Sequence, residues 1–180
     1  ELKPDLVDWV KEKLPPDLLG ERIHILQGDA TEPATADRVR ETLTEMGTPR
    51  AQLLILHPPY HDIIQFSDRS GHLSNATDVY DFLDQFTTVV QHGFDLLDPG
   101  RFAVLVIGDK YTQGELIPLS FYCMDRMQQA GFRVKAVVVK NIEGNERGKG
   151  RSSNLWRYRA LAGGFYIFKH EDVMIFQKPG

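Results

Sequence analysis

The sequence has a single cysteine, Cys123, so no internal disulfide can form and a disulfide-stapled scaffold is excluded. It also lacks long apolar runs. Stretches such as Phe102 to Gly108 and Val137 to Val139 fall far short of the roughly 18 residues that a spanning helix requires, so no membrane segment is expected. No basic and apolar leader opens the chain, which makes a cytoplasmic location the expectation. The first residue is Glu1, not Met, and residues upstream of it are expected to be missing. Internal repeats, low-complexity tracts and a convincing domain boundary are absent as well. The 180 residues therefore read as one domain, 1–180, long enough to bury roughly 70% of its unfolded surface. What is present, 42% hydrophobic and 26% charged residues, is the composition of a globular protein and excludes disorder and collagen.

The formal net charge of −4 conceals an uneven distribution. Residues 1–100 carry 8 Lys/Arg and 18 Asp/Glu, or −10, whereas residues 101–180 carry 13 and 7, or +6. Between Lys140 and Arg159, six cations (Lys140, Arg147, Lys149, Arg151, Arg157 and Arg159) are set against only Glu143 and Glu146. Asn141, Asn145, Asn154, Trp156 and Tyr158 are interleaved with them. Hydrogen-bonding and stacking groups mixed with positive charge suit a nucleic-acid surface. A solvated basic loop is the other reading of the window.

Helical spacing of Leu6, Val7, Val10 and Leu14 ends at Pro15-Pro16. Arg22 to Leu26 alternates as a strand does and stops at Gly28-Asp29. A helix is predicted from about Ala34 to Met46, and the continuous apolar run Leu53 to Leu56 predicts a central buried strand. Val79 to Leu97 marks one face of a long helix closed by Asp98-Pro99-Gly100, followed by a strand from Phe102 to Ile107. Leu116 to Ala130 is predicted helical and Val134 to Val139 extended. Phe165 to Phe168 and Val173 to Phe176, separated by His170-Glu171-Asp172, predict an antiparallel hairpin. Alternation of strand and helix argues for an α/β fold with a mostly parallel sheet and a C-terminal antiparallel hairpin.

Ligands of open α/β sheets bind beyond the carboxyl ends of strands. Three polar segments fall there: Gly28-Asp29, His57-Pro58-Pro59-Tyr60 and Gly108-Asp109. A Gly-Asp pair after a strand is also an ordinary turn, so the weight rests on the proline pair. Two prolines fix two φ angles and remove two donors, leaving carbonyls to accept from an amino group beside an aromatic ring that can stack on a base. The four-residue spacing of His57 and His61 would suit a metal on a helix, but Pro58-Pro59 forbids that helix. His24, His72, His92 and His170 read as surface or capping residues, Cys123 as core and Trp9 as packing, while Trp156 suits either packing or base contact.

The segments Ile25-Leu26-Gln27-Gly28-Asp29-Ala30 and Leu53 to Tyr60 together resemble the amino-methyltransferases that methylate the exocyclic nitrogen of adenine or cytosine in DNA, particularly the group whose catalytic half comes first. Leu96 to Phe102, Val106 to Asp109, Gly114 to Leu119, Gly131-Phe132 and His170 to Lys178 resemble the continuation of that half, so the likeness runs from about residue 23 to 178. The resemblance implies a Rossmann-like sheet, S-adenosylmethionine as methyl donor, double-stranded DNA as partner with its target base flipped out, and a role in restriction-modification.

By the same resemblance, His57 stands where the family usually has Asp, Asn or Ser and accepts a hydrogen bond from the target amino group. The Pro58 carbonyl, beside Pro59, takes the other amino hydrogen, Tyr60 stacks on the base, and Asp29 contacts the donor's adenine. Gly28, Gly108 and Asp109 belong to the implied donor site, and the basic window to the DNA path. Two features depart from the pattern. A neutral imidazole can accept one hydrogen bond but an imidazolium none, and the Phe-x-Gly-x-Gly turn that approaches the methionine part of the donor is absent. That turn is expected from a missing segment or a second subunit. A non-catalytic DNA-binding or regulatory relative, and a methyltransferase acting on RNA or a protein glutamine, are the competing readings.

Overall fold

The structure is a computed structural model that describes residues 3–61, 73–112, 114–141, 162–164 and 170–180. Its helices are α1 (Pro4–Lys13), α2 (Pro33–Glu45), α3 (Val79–Leu96) and α4 (Leu119–Gln129), with a 3-10 turn at Leu73–Asn75. Its strands are β1 (Ala51–Leu56), β2 (Leu97–Ile107), β3 (Lys110–Thr112), β4 (Glu115–Ile117), β5 (Arg133–Asn141) and β6 (His170–Gln177).

Helix α3 forms because Phe82, Phe86 and Val90 recur every fourth residue, and all three are fully buried. Asp78 caps it, accepting from the backbone N–H groups of Tyr80 (2.8 Å) and Asp81 (2.9 Å). At its other end Lys178 donates to the carbonyls of Phe94 and Leu97, 2.6 and 2.8 Å away, satisfying acceptors that a helix terminus leaves open. The buried face meets Ala103, Leu105 and Ile107 of β2, Met174 and Phe176 of β6, and Leu119, Cys123 and Met127 of α4. Cys123 is core, as its apolar neighbours predict, and burial raises its thiol pKa. Gly93 lets β1 approach α3: a Cβ there would lie 2.6 Å from a methyl of Leu54.

The main sheet runs in the order β1-β2-β6-β5, and β3 and β4 form a separate short hairpin. Only β1 and β2 are parallel; β6 is antiparallel to both β2 and β5. The described sheet is therefore mixed rather than mostly parallel. The alternation at 22–26 makes no strand, only a bridge between Leu19 and Ile23, because a period of two needs a ladder partner to become a sheet member. That leaves β1 at the edge of the described sheet instead of its centre, with Leu53 54% and Ile55 63% exposed.

His170-Glu171-Asp172, expected to separate two strands, instead begins β6, while residues 165–168 lie outside the described residues. Leu116, expected in a helix, belongs to β4. Trp9, expected to pack, is 55% exposed, with Lys13 over its ring.

Strand register sorts the two faces. Leu54, Leu56, Ala103 and Leu105 point to α3 and α4, while Leu53 beside Phe102, and Ile55 beside Val104 and Ile175, point the other way. No helix among the described residues is long and apolar enough to cross a membrane.

Candidate active site

Strand β1 brings the chain to His57-Pro58-Pro59-Tyr60 at its carboxyl end. Two consecutive prolines cannot extend the ladder, and the Pro58 carbonyl takes part in no backbone hydrogen bond among the described residues. His61 then adopts a positive φ of 54°, which is uncommon where a Cβ is present. It is anchored by Nε2, 3.1 Å from the Ala76 carbonyl, and Nδ1, 3.1 Å from Lys110 Nζ. An ammonium can only donate, so Nδ1 accepts and Nε2 donates to Ala76.

Gly28, Asp29 and Ala30 lie beside this turn. With Ile55, Leu56, His57, Pro58 and Pro59 they line a cleft of about 390 Å³, whose apolar wall includes Leu73, Phe86 and Val89. Gly28 is held tightly to the start of α2, since a Cβ would come within 2.6 Å of Thr35 Oγ1. Asp29 Oδ1 accepts from the Thr31 backbone N–H at 2.8 Å and hydroxyl at 2.7 Å. Its other oxygen has no hydrogen-bond partner among the described residues.

Tyr60 sits just beyond the cleft. Its hydroxyl donates to Glu171 Oε2 at 2.5 Å and lies 3.5 Å from His57 Nε2. The hydroxyl has one hydrogen, and Glu171 takes it, so toward His57 the phenol oxygen can only accept. A neutral His57 donating there from Nε2 keeps Nδ1 as its acceptor. Burial, followed by the bond to and charge of Glu171, raises the Tyr60 pKa. Glu171 is itself held below the usual carboxylate range, first by Lys140 and then by Tyr60.

Gly108 and Asp109 do not line the cleft. Gly108 lies under the Tyr60 ring, where a Cβ would be 2.9 Å from Cε2. Asp109 Oδ1 accepts from the Ser120 N–H and hydroxyl at 2.9 and 2.7 Å, bracing the first turn of α4. Lys140, near the carboxyl end of β5, forms an ion pair with Glu171. Arg147, Lys149, Arg151, Arg157 and Arg159 lie outside the described residues.

The residue that sequence reading missed is Glu171. Because β6 runs opposite to β2, with Asp172 paired to Ile107, its first residues reach the rim where β1, β2 and β5 end. The available signal was a charged residue at the start of an alternating strand.

Compared by sequence, the chain matches no protein-family model and no curated protein. Compared by structure, it resembles a Thermus thermophilus protein assigned as a DNA modification methylase. In that protein's complex with S-adenosyl-L-methionine the TM-score is 0.52 at 24% identity, over 85% of this chain and 54% of that one. The selenomethionine form gives 0.51 at 23% identity, covering 85% and 51%. The cytosine-N4-specific PvuII DNA methyltransferase gives 0.51 at 18% identity, covering 72% and 44%. The chain thus spans about half the length of these structures, and over most of its own length it has the fold of the DNA modification methylases.

Proposed function

We propose that the chain carries the base-binding and donor-binding face of an S-adenosylmethionine-dependent methyltransferase that modifies the exocyclic amino group of adenine or cytosine in DNA. The observation that carries this reading is the cleft itself, which joins Gly28-Asp29 to His57-Pro58-Pro59 at the end of a sheet strand. Its residues fit the adenosine end of the donor: an apolar wall suits a flat purine, and the uncommitted Asp29 oxygen suits a ribose hydroxyl or an adenine amino group. When bound, the donor supplies an electrophilic methyl group on a sulfonium.

The protein's contribution is orientation. A base flipped out of the duplex places its amino nitrogen at the turn. There the Pro58 carbonyl and a neutral His57 accept its two hydrogens, and its lone pair is aimed into the cleft. The Tyr60 ring supports the base. A second subunit or a further segment supplies the glycine-rich turn for the methionine part, in keeping with a match that spans about half the length of the structural neighbours. Lys140 and the cations from Arg147 to Arg159 follow the DNA backbone.

Transfer of labelled methyl groups to unmethylated duplex DNA tests the reading in the polypeptide as its organism makes it. His57→Ala is expected to lower kcat at least about tenfold, equivalent to about 1.4 kcal/mol of barrier, with DNA affinity within about twofold. Unchanged transfer removes His57 from the mechanism, and DNA binding without transfer by the parent protein favours a regulatory relative.

A further inference from the structure

We infer that Glu171 is a positioning residue for Tyr60, fixing the ring through its hydroxyl so that one face is presented at the rim beside His57. The consequence for catalysis rests on the methyl-transfer reading above; the contact itself does not.

Three observations converge. Glu171 is buried, 7% exposed, at the start of β6, and its two oxygens are divided between Lys140 and the Tyr60 hydroxyl. The Tyr60 ring lies against Gly108, where even a methyl group would collide with Cε2. Ring and hydroxyl are thus fixed from two sides, by the residue that follows β2 and by β6. A stacking platform whose ring is locked in advance loses less entropy when a base arrives, and a tyrosine gains from this where a phenylalanine, lacking the hydroxyl, does not.

Lys140 keeps the arrangement ionised. It lies opposite Glu171 in the β5–β6 register, so the carboxylate is neutralised from the side away from Tyr60. Among the described residues, the titratable groups facing the phenol are Glu171 and His57, with Lys140 behind the carboxylate.

The test has two arms. In the first, 3-fluorotyrosine replaces the six tyrosines, and 19F NMR follows their ionisation, with Tyr60→Phe identifying the resonance. Tyr60 is expected to ionise above the ordinary phenol range, and Glu171→Gln is expected to lower its pKa. An unmoved Tyr60 resonance in Glu171→Gln overturns the inference.

In the second arm, Tyr60→Phe and Glu171→Gln are each expected to lower methyl transfer several-fold, with DNA affinity little changed. The double variant should be no worse than the more impaired single one, since in Tyr60→Phe no hydroxyl remains for residue 171 to hold. Additive losses overturn the coupling. If the NMR arm succeeds while the parent protein transfers no methyl group, the methyl-transfer reading fails and the catalytic role falls with it, though the contact stands. If the parent transfers methyl groups and the NMR arm fails, the inference alone is wrong. Thermal melting separates both outcomes from loss of fold, and Lys140→Met, which leaves Glu171 in place, should keep the Tyr60 contact.

Discussion

Gly108 was legible in the sequence as the residue after a strand, yet the reason for a glycine there was not. The reason is the Tyr60 ring, 48 positions earlier, which occupies the space of a Cβ. Gly108→Ala is expected to displace the ring and cost about 1 to 3 kcal/mol, the usual range for overpacking, with a visible loss of methyl transfer; urea unfolding and kinetics read the two effects. Glu171 was hidden for a similar reason, because its partner is set by strand register rather than by anything nearby in sequence. It also gives a pH prediction. Its pKa in the folded chain is lowered, first by the hydrogen bond from Lys140 and then by that from Tyr60. The stability it contributes is therefore complete above the ordinary carboxylate value of 4.5 and lost as pH falls through the lowered folded value. Glu171→Gln should flatten stability against pH in that acid range, measured by urea titration between about pH 3 and 7.

Among the elements, the helices and the strands β1, β2, β5 and β6 were located from local pattern, whereas strand order and the shortest pairings were not. Helices α2 and α3 match their apolar periodicity to within a residue or two at most ends. Strand β1 was placed correctly but given a central position, since a run of leucine and isoleucine signals burial without saying which edges are paired. The strand expected at 22–26 has alternation but no ladder, and the three-residue strands β3 and β4 are too short to carry a period. Helix α3 can be tested directly, and the result bears on the site because the helix backs the cleft through Phe86 and Val89. Asp78→Ala removes the acceptor for two N–H groups and is expected to cost about 1 kcal/mol, read as a lower urea midpoint with unchanged slope.

At the scale of the whole molecule, the α/β class was legible from the order of elements, but the mixed sheet was not, because antiparallel return of β6 between β2 and β5 is a long-range choice. That choice leaves one sheet face with Leu53, Ile55, Phe102 and Val138 at 42 to 63% exposure. Replacing Leu53 and Ile55 together by lysine is expected to shift stability by no more than about 1 kcal/mol, read from urea unfolding, because both side chains are already more than half exposed. The reversed direction of β6 has a temporal consequence as well. Residues 57 to 60 leave the ribosome more than a hundred positions before the carboxylate that holds Tyr60, a separation of 111 residues. A nascent chain can therefore build β1, α3 and β2 while the tyrosine hydroxyl is still without its carboxylate, and the rim acquires its working shape only when β6 slides between β2 and β5. Loss of β6 would leave the Pro-Pro-Tyr turn written in the chain but without the carboxylate that sets its tyrosine.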